Sequence, residues 1–165
     1  MPDAPTSREL FDRFVARSQA SAAIPEPRTP QAADNESLVH RYYDMWNTGD
    51  ASVASTLLDP TYLDHAHPEV LGPAAFRSLV PRHRAANPGA HMTIEIVAAD
   101  DELVAVRNVI SRTVDGRPVD SEGVALFRIA GGKLAEQWSW YPDAEAESAE
   151  LVSPPSREAW LSFRA

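Results

Sequence analysis

The sequence predicts an α+β domain in which amphipathic helices close a curved antiparallel sheet around a small-molecule pocket. Three observations carry that expectation. Apolar residues recur at helical spacing through the first half of the chain, and the period changes to two after Asn87-Pro88-Gly89. Asp115-Gly116 and Gly131-Gly132 then fall where hairpin turns would join successive strands. Helices followed by an antiparallel meander give this architecture.

The elements can be taken in order. Ser7 is placed to cap a first helix, with Leu10, Phe11, Phe14 and Val15 on one stripe. The stretch SAAIPEPRTPQAAD follows, with three prolines and no periodicity, and reads as a linker. Residues 1–33 are therefore expected to be a helical arm and its linker. Asp34 is the expected cap of the next helix, whose buried side would hold Leu38, Val39, Tyr42, Tyr43 and Trp46. Gly49 supplies the backbone freedom to end it. Asp50 should cap a short helix through Leu57 and Leu58, with Pro60 after its end. Thr61 to His65 reads as extended. Gly72-Pro73 opens a helix towards Ala86, which Pro81 should kink or split. Strands are expected over 91–98, 103–113, 118–129 and 133–141. The domain would span 34–143, and 144–165 would be an acidic tail with a short helix from Ser156 to Phe163.

Composition bounds the function. The chain has 165 residues, 44% hydrophobic and 24% charged, which suits one globular domain with additional arms. A formal charge of −9 disfavours nucleic acid as a partner. There is no cysteine, so thiol catalysis, disulfides and thiolate metal sites are excluded. No apolar run reaches the roughly 18 residues of a membrane span, and the N-terminus lacks the pattern of a secretory signal. A cytoplasmic protein is expected, without membrane or nucleic-acid partners.

Tyr43-Asp44-Met45-Trp46-Asn47-Thr48-Gly49-Asp50 resembles the "Y-x-x-W-N-x-G-D" opening of SnoaL-like proteins, the polyketide-cyclase branch of the NTF2-like superfamily. Tyr62-Leu63-Asp64-His65 resembles that family's "Y-x-D-H" segment. Val124 to Arg128, Gly131-Gly132-Lys133-Leu134 and Glu136-Gln137-Trp138 resemble its "FR…DGKI-x-E-x-W" ending. The resemblance covers roughly residues 35–143. It implies a conical fold, a homodimer through the outer sheet face, and a pocket between the concave face and the helices. It also implies a role in secondary metabolism such as antibiotic biosynthesis, on a small hydrophobic substrate. Members include cyclases, isomerases, epoxide hydrolases and non-catalytic binders, so the fold fixes the place of the site and not its reaction.

Family cyclases are expected to carry an acid on the penultimate strand, and alignment through Phe127-Arg128 puts Ala125 there. Asp120 and Glu122 have the opposite side-chain parity unless Gly123 marks a bulge. The epoxide-hydrolase pattern also fails, because Arg107 is followed by Asn108 and Val109. The remaining catalytic candidates are Asp64 and His65, to move a proton, with Asn108 and Arg112 to stabilise an oxyanion. Asp64 and His65 cooperate only if the chain turns there. Otherwise Asp64 caps a turn and His65 fills the pocket rim. Arg112 otherwise lies in solvent beyond the sheet edge. Tyr43, Trp46, Trp138 and Trp140 are the candidate substrate-binding residues, the last two as a flat apolar wall. The same indoles could instead serve the core or a dimer interface. His65-Ala66-His67 lacks a third ligand and is not read as a metal site. The expected activity is a cofactor-independent cyclase or isomerase, and the alternative is a non-catalytic ligand-binding or assembly domain. The absent acid at Ala125 favours that alternative.

Overall fold

The computed structural model describes residues 29–141. The expected helix at 7–18 and the helix at 156–163 lie outside the described residues. The first described helix, α1 (Pro30–Thr48), starts earlier than the sequence suggested. Thr29 caps it, its hydroxyl accepting from the Ala32 N–H at 3.0 Å, and Asp34 lies inside the first turns. Pro30 sits at the first helical position, where a missing N–H costs nothing, so this proline starts a helix instead of extending the linker. Gly49 ends it with φ 81°, its N–H donating to the Met45 carbonyl at 2.9 Å.

Asp50 caps a 3-10 turn at Ala51–Val53, and α2 (Ala54–Leu57) is one turn long. Leu58 already belongs to β1 (Leu58–Asp64), so Pro60 lies within a strand and not after a helix. This is an edge strand, where a residue without a backbone donor is tolerated. The third helix, α3 (Gly72–Ala86), runs through Pro81 without splitting. Pro81 is exposed, so the carbonyl it leaves unpaired falls on the solvent side.

Four strands follow: β2 (His91–Ala99), β3 (Leu103–Val114), β4 (Arg117–Ala130) and β5 (Lys133–Trp140). They form the expected antiparallel meander, but β1 joins β5 in parallel, so the five-stranded sheet is mixed, in the order β1-β5-β4-β3-β2. Register shifts at Ile94/Ile96, Arg128/Ile129 and Leu58/Leu63 bend the strands, and the sheet is curved and unclosed.

One face of the sheet carries the core. Val104, Val106, Ala125 and Phe127 alternate inward from β3 and β4 to meet Tyr42, Tyr43, Phe76 and Val80 from the helices. Phe127 takes edge contacts from Tyr42 and Tyr43, with ring centroids 5.4 and 6.2 Å apart. Each large side chain buried here contributes about 1.5–3 kcal/mol of transfer free energy. Two polar clamps fix α1 over the sheet. Asn47 pairs with both backbone groups of Met92, at 2.8 and 2.7 Å, and the Asn35 amide donates to the Asp100 carbonyl at 2.9 Å. Gly72, at φ 63°, sits against the Pro60 carbonyl, which an added Cβ would meet at 2.6 Å.

Candidate active site

Cross-strand pairing assigns each site candidate to a face. Phe127 is opposite Gln137 and Val104, Ala125 opposite Ser139 and Val106, and Gly123 opposite Asn108. These residues look inward at the helices. Leu126 is opposite Trp138, Val124 opposite Trp140, and Arg128 opposite Glu136, so these look outward.

Asp64 and His65 therefore do not act as a pair. Asp64 lies opposite Gln137 on the inner side and is buried. His65, one residue on, turns to the outer side. There its ring stacks on Trp138, with centroids 4.4 Å apart and planes 8° apart, and its Nε2 lies 2.8 Å from Glu136 Oε2. Arg128 Nε donates to Glu136 Oε1 at 2.7 Å from the other side. Burial opposes ionisation of Glu136, but the hydrogen bonds from His65 and Arg128 outweigh it and hold its carboxyl below the ordinary range. Period-two geometry sends neighbours to opposite faces, so the sequence pair Asp64-His65 is divided between them.

Trp138 and Trp140 share a face as expected, but it is the outer one, so they do not wall the concave side. Trp140 is exposed. Arg112 is also exposed, pairs with Val119 towards the hairpin, and lies four residues, about 13 Å along the strand, from Asn108. Glu122 is on the outer face, where Arg107 bridges it and Glu95 at 2.9 and 2.7 Å. β3 and β4 pair without a register shift at Gly123, so no bulge turns Asp120 or Glu122 inward.

The inner face holds a different set of polar groups. The histidine partner of Asp64 is His67. Its Nδ1 lies 3.1 Å from Asp64 Oδ2, and Asp64 Oδ1 accepts from the Ala66 N–H at 3.0 Å. The bond to Asp64 raises the His67 pKa above its ordinary 6.5, against the opposing effect of burial. Beside Asp64, the hydroxyls of Tyr42 and Tyr62 donate to Gln137 Oε1 at 2.8 and 2.6 Å. Burial first, and the Asp64 charge after it, push the Tyr42 hydroxyl far above its usual range, and Tyr62 is raised by burial, Tyr42 and Asp64.

Tyr141 completes the face. It follows β5 directly, and its ring lies on Gly123, where an added Cβ would come within 2.1 Å of ring carbon. Asn108 Nδ2 donates to the Tyr141 hydroxyl oxygen at 3.2 Å. The Tyr141 oxygen is the acceptor in that bond, so its own proton is not used in it. Burial raises its pKa, Asn108 opposes that rise, and Asp64 adds to it. Tyr43 is buried, with its pKa raised by burial and then by Tyr141. Trp46 is half-buried and meets Tyr42, Phe76 and His83 edge-on, at 6.3, 5.7 and 5.3 Å. Asn108 Oδ1 and Ser121 Oγ are buried without a hydrogen-bond partner among the described residues. Leaving such a group unsatisfied costs about 1–3 kcal/mol. Among the described residues no group of three or more His, Asp or Glu could hold a metal ion.

Sequence reasoning missed His67, Ser121 and Tyr141. The Asp64-x-Ala66-His67 spacing was a readable signal, because an aspartate at the end of a strand accepts from the N–H two residues on. Gly123 at inner parity was a second one. It marks close approach of another group, here the Tyr141 ring, and not a bulge.

The sequence pattern of the family described as "SnoaL-like domain" matches residues 39–137, more than half of the chain. The chain is 30% identical over 141 residues to aklanonic acid methyl ester cyclase DnrD of Streptomyces peucetius, covering 74% of this chain and 94% of that protein. It is 28% identical over 141 residues to aklanonic acid methyl ester cyclase DauD of Streptomyces sp. (strain C5), covering 74% and 85%. In fold it is similar to a proposed SnoaL-like polyketide cyclase from Jannaschia sp. CCS1, with TM-score 0.62, 22% identity, and 79% and 99% of the two chains covered. A SnoaL-like polyketide cyclase from Agrobacterium tumefaciens gives TM-score 0.56 at 18% identity, covering 64% and 89%.

Proposed function

The chain belongs to the SnoaL-like family, and from that premise we propose that it is a cofactor-independent cyclase or isomerase acting on a hydrophobic, oxygenated, polyketide-like intermediate. The observation that carries this reading is the buried carboxylate of Asp64 on the same face as the Tyr141 hydroxyl, whose oxygen accepts from Asn108.

The chemistry needs only a proton moved. Asp64 takes a proton from carbon next to a carbonyl, and the resulting enolate carbon attacks a second carbonyl of the same chain. One C–C bond forms, one C–H bond breaks, and the new alkoxide is protonated, so the product is an isomer of the substrate. Tyr141, positioned by Asn108 and by the seat of its ring on Gly123, donates to the oxygen on which charge develops. His67 reaches Asp64 from the solvent side and carries the proton between the acid and water. Tyr43 and Trp46 border the site from α1 and hold the chain folded for closure. Asp64 thereby serves as the acid that the family pattern leads one to seek at Ala125.

The test uses aklanonic acid methyl ester and related ring-open polyketide esters, because the two curated relatives are named for that cyclisation. Asp64→Asn should lower turnover by about 10²–10⁴-fold while ligand affinity and melting temperature change little. Wild-type binding of these esters without any cyclised or isomerised product would instead support the non-catalytic binder, the reading that the alanine at 125 favours.

A further inference from the structure

We propose that Asn108 and Ser121 form a hydroxyl-reading subsite, which selects ligands bearing a free phenolic or enolic O–H on an otherwise apolar ring. The proposal rests on the concave face being the substrate site, and it names a feature of that substrate.

Both side chains are more than nine-tenths buried, and both carry an oxygen without a partner among the described residues. They stand on neighbouring strands, Asn108 opposite Gly123 and Ser121 two residues along opposite Ile110. They are thus diagonal neighbours on one face, about 7–8 Å apart at the backbone, close enough for both side chains to reach one ligand group. The Asn108 amide nitrogen already bonds to the Tyr141 oxygen at 3.2 Å, and the atom left without any partner among the described residues is the acceptor Oδ1. A buried acceptor needs a donor, and a ketone or an ether oxygen cannot supply one. Ser121 both donates and accepts, so it adapts to whatever oxygen the ligand offers beside that hydroxyl. The flanking inner-face positions are Ile110, Ala125, Met92 and Ile94, which favour a flat apolar body and offer no competing polar contact. A site built around a hydroxyl rejects the analogue lacking it, because its own polar atoms are then left unpaired.

The experiment titrates the full chain with 2-naphthol and with 2-methoxynaphthalene by isothermal calorimetry. Wild type should prefer the free hydroxyl by about tenfold. Asn108→Leu, close in volume and without polar atoms, should bring the two ligands to about parity while leaving methyl-ether affinity within about threefold. Ser121→Ala should reduce the preference by about threefold, and it keeps the test readable should Asn108→Leu fail to fold. Equal affinities in wild type, a preference unchanged in both variants, or no binding of either ligand would each overturn the proposal. The Asp64→Asn protein should keep the full preference. Preference without turnover would sink the cyclase reading alone, and Asp64-dependent turnover without preference would sink the subsite alone.

Discussion

The two faces of this sheet are built from the same strands, and each carries its own polar cluster, but the clusters are finished to different degrees. On the outer face, Glu136 is bonded by His65 and Arg128, and Arg107 bridges Glu95 and Glu122, so these charges satisfy one another. On the inner face, among the described residues, Asp64 bonds to the turn that follows it, the Tyr141 oxygen accepts from Asn108, and Asn108 Oδ1 and Ser121 Oγ lack partners. A closed charge network holds a surface together. Buried polar groups left open cost about 1–3 kcal/mol each, a cost that a ligand pairing with them would recover.

The sharpest way to break that contrast is to exchange the neighbours that the backbone separates. Asp64→Asn should cost about 10²–10⁴-fold in turnover, whereas His65→Ala should leave turnover within about threefold, measured on the same substrate. A large loss at His65 would move the chemistry to the outer face. Gly123→Ala comes next. Its methyl would displace the Tyr141 ring, so turnover should fall by about 10²-fold, as when one oxyanion donor is removed, with little change in melting temperature.

The outer cluster should answer in stability instead. Glu136→Gln should cost about 1–2 kcal/mol in denaturant unfolding at neutral pH and leave turnover intact. Its sign with pH follows from the lowered carboxyl. The folded pKa lies below the ordinary 4.5, so the stabilisation is present above that value and is lost as pH falls through the folded pKa. The gap between wild type and Glu136→Gln should therefore close in acid. The smallest effect is at His67. Its titration, followed by NMR, should have a midpoint above 6.5, and Asp64→Asn should bring it back towards that value. Because its folded pKa is raised, any stability it contributes is present below the ordinary value and is lost as pH rises through the folded one.

The elements with local causes were legible. Gly49 ends α1, Gly72-Pro73 opens α3, and the hairpin turns at Asp115-Gly116 and Gly131-Gly132 fall where the sequence puts them. The early start of α1 was not, because Pro30 has two meanings, linker or first helical residue, and only the Thr29 cap decides. Nor was the partner of β1. A parallel pair with β5 joins segments about seventy residues apart in the chain, and no local pattern encodes it.

The sequence by itself determined the family, the order of helices and strands, and which residues share parity within one strand. Side chains alternate strictly along a strand, so the grouping of Trp138 with Trp140, or Asn108 with Val106, needed no coordinates. What only the tertiary structure decided was which parity faces the helices. That choice depends on which side of the sheet α1 and α3 cover and on the register of each pair. It turns His65 and the two indoles outward, and it leaves Asp64, Asn108, Ser121 and Tyr141 facing the helices.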